Sequence, residues 1–301
     1  MVIKKIHPTH IFVYHLGPFL AAFLLAILLV QPARAKQQPY LLKANSLSTA
    51  SSVSADPPDA THDSTVGGTL DIPVGTILPI RLNSTISTAK SKPGELITGR
   101  IMQDVPLPQS GKIRAGSKLI GHIVEVTPAM GNVNARISLQ FDKLISSNQT
   151  LSLTTNLRAI AGFMDVAEAK IPPIGPGEGD VYGWLTTVQI GGDVVYGHGG
   201  MVYSPGYSNG AVGKSVDGGV LAHVTAGQGT SCRGPIDGND SPQALWVFSS
   251  NACGTYGLPH VNISHFGRNN PVGVIELSSD TSKVDVPSGA GMLLRVDTVE
   301  K

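Results

Sequence analysis

Apolar and polar side chains alternate most cleanly over Arg136-Ile137-Ser138-Leu139-Gln140-Phe141-Asp142, where Ile137, Leu139 and Phe141 share one face. A period of two over this length predicts a half-buried antiparallel strand. The same period recurs in Leu78, Ile80 and Leu82, with Pro79 and Arg81 turned the other way. Pro79 predicts an edge strand or a bulge at that point. Glu95 to Val105, Lys118 to Val126 and Leu151 to Thr155 are rich in β-branched and aliphatic residues, which completes a set of about five strands. Turns precede them at Ile72-Pro73-Val74-Gly75, Ser91-Lys92-Pro93-Gly94 and Arg114-Ala115-Gly116-Ser117. Such turn-then-strand units close into a small antiparallel β-barrel, expected over residues 70–157.

The pattern breaks after residue 157. Phe163 to Lys170 has the composition of a two-turn helix, and Ile171-Pro172-Pro173-Ile174-Gly175-Pro176-Gly177 is a loop that no regular element tolerates. Residues 158–189 therefore read as a linker with a short helix. Short apolar runs resume at Val194 to Tyr196, Val220 to Thr225, Ala244 to Phe248, Val272 to Leu277 and Met292 to Val296, separated by clusters of Gly, Asn, Asp and Pro. This spacing predicts a second β unit over residues 190–301, a sandwich or a barrel-like body. The expected class is mainly β, with little helix. Val286-Pro287-Ser288-Gly289 followed by Leu293-Leu294-Arg295-Val296 echoes Ile72-Pro73-Val74-Gly75 followed by Pro79-Ile80-Arg81-Leu82. Duplication, a shared turn requirement, or a last strand that pairs with the first unit would each produce that echo.

The N-terminus changes the picture from a folded body to an exported one. Lys4 and Lys5 precede an uncharged span from Ile6 to Pro32, then Ala33-Arg34-Ala35. A basic start, an apolar run and a small-x-small site match a secretory signal over residues 1–35; an uncleaved anchor through residues 6–32 is the alternative. Residues 36–69 carry few large apolar side chains and are expected to be a disordered tether. Cleavage removes three of the 22 basic side chains and none of the 21 acidic ones, so the product is close to neutral. That balance gives no footprint for nucleic acid and no basic run of the kind that binds anionic lipid. In an oxidising compartment the two cysteines, Cys232 and Cys253, are most simply one disulfide, which would contribute about 3 kcal/mol by closing its loop. The expected location is periplasmic, envelope-associated or extracellular.

One stretch resembles a known family. The order Ile-Pro-x-Gly-Thr-Ile from Ile72, Pro93-Gly94 before Thr98-Gly99-Arg100-Ile101-Met102-Gln103-Asp104-Val105, Ala115-Gly116-Ser117-Lys118-Leu119-Ile120-Gly121, then Ala135-Arg136-Ile137-Ser138-Leu139 is similar to the β-barrel domain of TrbI-type scaffold proteins. These belong to conjugation and type IV secretion machines. The resemblance covers roughly residues 70–155 and implies a barrel that assembles in the cell envelope. The family also crosses the outer membrane with a helical hairpin, for which this chain has no apolar helical pair. The chain as a whole also resembles exported bacterial proteins to which no activity is attached, which implies export alone.

Candidate chemistry is sparse. Gly206-Tyr207-Ser208-Asn209-Gly210 fits the G-x-S-x-G pattern of a hydrolase nucleophile, with Asp237, Asp240, His260 and His265 following in a suitable order. The elbow needs a strand before Ser208 and a helix after it, and Tyr203-Ser204-Pro205 and Gly213 supply neither, so a surface loop is the simpler reading. Asp237, Asn239 and Asp240 offer oxygen ligands to a cation, but too few for calcium, and a tight Asp-Gly turn explains them. None of His62, His122, His198, His223, His260 and His265 has ligand spacing. Gly191-Gly192-Asp193 and Gly197-His198-Gly199-Gly200 lack the Lys and helix of a phosphate loop and read as turns. Tyr196, Tyr203 and Tyr207 lie in Gly-rich surroundings and could form an exposed ligand platform, whereas Trp246 and Phe248 belong to a core. No cofactor motif is present. The leading expectation is an exported non-enzymatic β protein with a structural or binding role in the cell envelope, its candidate partners an envelope protein or glycan; a secreted hydrolase of an envelope polymer and a glycan-binding module are the alternatives.

Overall fold

The computed structural model describes residues 70–131, 133–170, 186–196, 199–205, 210–227, 232, 234, 239–264, 272–280 and 283–300. All fall in one compact unit, Thr65–Lys301. The expected signal segment and tether lie outside the described residues.

The described residues open with eight strands: β1 Ile77–Leu82, β2 Ile86–Ser87, β3 Leu96–Ile101, β4 Val105–Pro106, β5 Lys112–Ile113, β6 Lys118–Thr127, β7 Ala135–Ser146 and β8 Gln149–Ala161. A single short helix, α1 Phe163–Glu168, follows. Six strands then run as a meander: β9 Thr186–Val188, β10 Val194–Tyr196, β11 Met201–Tyr203, β12 Ala211–Val216, β13 Gly219–Ala222 and β14 Gln243–Ala244. Five more return to the first sheet or its rim: β15 Gly254–Tyr256, β16 Val261–Ile263, β17 Ile275–Ser279, β18 Asp285–Val286 and β19 Gly291–Glu300. The fold is mainly β with little helix, as its periodicity predicts.

The barrel is closed by six antiparallel strands in the order β8-β19-β1-β3-β6-β7, with β7 pairing back to β8. That last seam is partial. Lys143 to Ser146 pair with Gln149 to Ser152, whereas the other half of β7, Ala135 to Leu139, pairs with β17. β16 extends β17, and β15 lies parallel to the far end of β8. Leu78, Ile80, Leu82, Ile97, Leu119, Ile137, Leu139, Phe141, Leu157, Met292 and Leu294 fill the interior. β6 and β7 approach so closely at Gly121 that a Cβ there would collide with the Gln140 carbonyl, and β6 changes register beside it, so the strand bends around the core.

Pro79 does not mark an edge. β1 lies between β19 and β3. The ring is tolerated because it faces the side where β3 has ended, and the one bond made there, from Met102 N–H to the Pro79 carbonyl at 3.0 Å, uses its acceptor.

The border expected over residues 158–189 is not a border between sheets. β8 crosses residue 157 and runs on to Ala161, and the tail of the chain returns to complete the barrel. The echo between the two ends has a direct structural meaning. β1 and β19 pair antiparallel, with Leu78 opposite Leu294 and Ile80 opposite Met292. Gly75 N–H donates to the Val296 carbonyl and Gly289 N–H to the Leu82 carbonyl, both at 2.8 Å; Val296 N–H and Leu82 N–H answer to Thr76 and Ala290, both at 2.9 Å. The two turn-then-strand phrases bind each other about a local two-fold. Gly75 and Gly289 have φ of 87° and 91°, which a side chain would resist.

The meander covers the β8-β19-β1 wall. Ile77, Ala159, Ala161 and Leu293 point outward into a second core with Val195, Val202, Val220, Ala222, Leu245, Trp246 and Phe248. Around Ile77, Ala159, Ala161 and Leu293 the wall is buried on both faces, so Ala159-Ile160-Ala161 and Met292-Leu293-Leu294 are continuous apolar runs rather than alternating ones.

Candidate functional site

Two buried glutamines fasten the meander to the barrel. Gln103 leaves the end of β3 and reaches between the sheets: its Nε2 donates to the Val220 carbonyl at 2.9 Å and its Oε1 accepts from Trp246 N–H at 2.7 Å. Gln243 Oε1 accepts from Ile77 N–H at 2.9 Å. Gly219 leaves room for this arrangement, since a Cβ there would collide with Gln103 Oε1 and the Trp246 backbone. Trp246 itself has a φ of 55°, a conformation uncommon for a bulky residue, and the Gln103 bond helps to hold it.

Around this fastening the β12–β13 hairpin tip stands between two hollows. The larger, about 660 Å³, is lined chiefly by Gln103, Leu107, Lys112, Val216 and Leu221, with Asp104 at its rim. Lys112 Nζ lies 2.6 Å from Asp104 Oδ2, and Ala115 N–H donates to Oδ1 at 2.8 Å. Lys112 first, and then the Ala115 N–H, hold the Asp104 carboxyl below the ordinary carboxylate range. The smaller hollow, about 430 Å³, is floored by Trp246 between Met102, Gln189, Val195 and Lys170. The Lys170 ammonium sits 4.7 Å from the Trp246 ring centroid. Burial holds its pKa below the ordinary lysine value, and Arg81 nearby adds to that. The larger hollow has the volume of a small-molecule or peptide side-chain site, apolar in body with one ion pair at its mouth. Ser110 and Asp217 complete its polar lining.

Among the described residues, those expected to carry chemistry are dispersed. Ser208, Tyr207, Asp237 and His265 lie outside the described residues, as do His62 and His198. His260 pairs with Asp280 at 3.2 Å on the exposed surface. Asn239 Oδ1 accepts from Ser241 N–H at 3.3 Å and from Gln243 Nε2 at 3.2 Å, so this side chain closes its own loop. The Asp240 carbonyl lies 2.9 Å from His223 Nδ1. Among the described residues no group of three or more His, Cys, Asp and Glu is placed to hold a metal. Tyr196 and Tyr203 are brought together on neighbouring strands, their rings meeting edge to face with centroids 5.6 Å apart. Cys232 and Cys253 form the expected disulfide, with Cα atoms 6.0 Å apart.

Sequence reasoning missed Gln103, whose only signal is a long amide between two apolar strands, and Asp193. Asp193 is fully buried, and its Oδ2 accepts from Ser250 N–H at 2.7 Å. Burial raises its pKa, against the pull of that N–H. The Gly191-Gly192-Asp193 turn is thus a clasp on the 249–251 loop. No protein family, no curated protein and no solved structure matches this chain.

Proposed function

We propose that this is an exported, non-enzymatic β protein that works in the cell envelope by holding a partner in the hollow at the barrel–meander junction. The observation that carries the reading is that hollow: about 660 Å³, mainly apolar, and walled by the 103–115 segment and the β12–β13 hairpin, which the buried Gln103 amide ties together. A rigid, preformed cleft binds with little ordering cost. Export is supported by the basic, apolar and Ala-Arg-Ala N-terminus and by the disulfide, which fits an oxidising compartment. Among the described residues no helix is long and apolar enough to cross a membrane. The likeness of residues 70–155 to the TrbI-type barrel belongs to the same proposal. A closed barrel supports a scaffold role, with the qualification that the sixth strand comes from β19, outside the resembling stretch.

The test is photo-crosslinking in the producing cell from a reactive side chain at Leu107 or Leu221, with Glu125 on the outer strand β6 as the control position. A discrete adduct from the two hollow positions, in the envelope or medium fraction, is expected. Its identity then separates secretion components from other envelope proteins and from glycan. Retention of the protein in the cytoplasm, or equal labelling from Glu125, would refute the reading.

A further inference from the structure

The outer wall of the barrel carries a row of cations that no run of sequence shows. On adjacent antiparallel strands Arg81 lies directly opposite Arg100, and Arg100 directly opposite Lys118. All three are exposed. Lys170, whose ammonium lies over Trp246, is close enough to Arg81 for the two charges to repel. Lys143, exposed on β7, sits one step along the strands, opposite Ile120. Adjacent strands are about 4.8 Å apart, so Arg81 and Lys118 stand within about 10 Å, near one Debye length at physiological salt, and their fields add. Like charges set directly opposite one another across a sheet are destabilising. Among the described residues none of these five cations makes an ion pair, and the carboxylates nearby are committed elsewhere, Asp104 to Lys112 and Asp142 to His122.

The same face carries apolar side chains in water. Along β3 the outward positions are Arg100, Thr98 and Leu96, and Leu96 is 71% exposed. Across the strand pair Thr98 faces Ile120 and Leu96 faces His122. Ile120 and Ile145 are both partly exposed, and Ile145 lies opposite Lys118. A row of cations beside isolated exposed aliphatics matches one kind of surface better than a soluble polyanion. At a bilayer the cations meet lipid phosphates, while short apolar side chains enter the headgroup boundary. A linear polyanion would neutralise the cations and leave Leu96 wet.

We propose that the outer wall of β1, β3, β6 and β7 docks on the anionic headgroups of a phospholipid bilayer, through Arg81, Arg100, Lys118, Lys143 and Lys170 with Leu96 as the apolar contact. This surface is separate from the junction hollow, and its contact with membrane does not depend on the N-terminal apolar span. Either reading can fail while the other stands.

The full chain as exported is mixed with vesicles of phosphatidylcholine, with and without phosphatidylglycerol, and co-sedimentation is measured at low and high salt. Lys4, Lys5, Arg34 and Lys36 flank residues 6–32, so any binding through that segment is common to the parent and a wall variant, and the phosphatidylglycerol-dependent part that the variant loses reports the wall. The double variant Arg100→Gln/Lys118→Gln is expected to lose that part by about 25-fold, about fivefold for each cation, which corresponds to roughly 1 kcal/mol per basic side chain at an anionic surface. High salt should produce a comparable loss in the parent. The variant removes repulsion across the strands, so its unfolding temperature is expected to equal or exceed the parent's; Lys118→Gln alone serves if the double variant fails to fold. Leu96→Ser should weaken vesicle binding and leave binding to soluble polyphosphate unchanged. Equal binding to both vesicle types, no effect of the double variant, or binding to polyphosphate without vesicle binding would overturn the proposal.

Discussion

Replacing Gln103 by Leu asks whether one buried amide holds the two sheets together. The substitution keeps approximate volume, so no large cavity opens, and what is lost is the pair of hydrogen bonds from Nε2 to Val220 and from Trp246 to Oε1. The Trp246 N–H is then stranded in a residue only 3% exposed, whereas the Val220 carbonyl keeps its bond from Leu245 N–H at 3.0 Å. A buried backbone group left without a partner costs about 1–3 kcal/mol, so this one N–H sets an expected loss of roughly 2 kcal/mol. For a domain of this size that is about 4–8 °C in unfolding temperature. The Trp246 backbone at φ 55° also loses its tether, so tryptophan emission should shift to the red before the secondary structure melts. Guanidinium unfolding followed by fluorescence and by far-ultraviolet circular dichroism reads both effects. A loss below about 1 kcal/mol with coincident, unshifted curves would show that the sheets are held by apolar packing alone, and the reasoning from unsatisfied groups would be wrong.

Two further outcomes are expected. Converting Cys232 and Cys253 to alanine, whose bond closes a loop of sequence separation 21, should lower stability by about 3 kcal/mol on chain-entropy grounds, checked by calorimetry of the oxidised parent against the double variant; an unchanged melting point would place the loop's order elsewhere. Asp193 binds its proton more tightly folded than unfolded, so its contribution is most favourable below the unfolded carboxyl pKa, about 3.9, and is lost as pH rises through its raised folded value. The stability of Asp193→Asn relative to the parent should therefore increase as pH rises across that window, in urea titrations from acid to neutral pH, and a constant difference would contradict burial as the cause.

Legibility from sequence followed the kind of face each strand presents. β7 was readable because its solvent face is polar and its core face apolar, so Ile137, Leu139 and Phe141 stand out by period. β8 and β19 were readable as strands over Leu151 to Thr155 and Met292 to Val296, but not as neighbours in one wall, because Ala159-Ile160-Ala161 and Met292-Leu293-Leu294 are covered on both faces, which erases alternation there and suggests a border where the barrel wall continues. Pro79 misled because the rule against proline inside a sheet depends on which neighbour has already ended, a fact of β3 rather than of β1. The disulfide was readable by counting. Gln103 and the basic row were not, since each draws its partners from distant segments: Val220 and Trp246 for the first, and Arg81, Arg100, Lys118, Lys143 and Lys170 for the second.

The local two-fold between the turns at Gly75 and Gly289 sets an order of events. β1 cannot gain its neighbour on one side until β19, more than 200 positions later, has been made. In a chain threaded through a membrane pore from its N-terminus, β19 would emerge after the other described strands, and the barrel would stay open until it did. Removal of β19 would leave β1 and β8 each with a bare edge able to pair with another copy, so that strand also acts as the lock against aggregation.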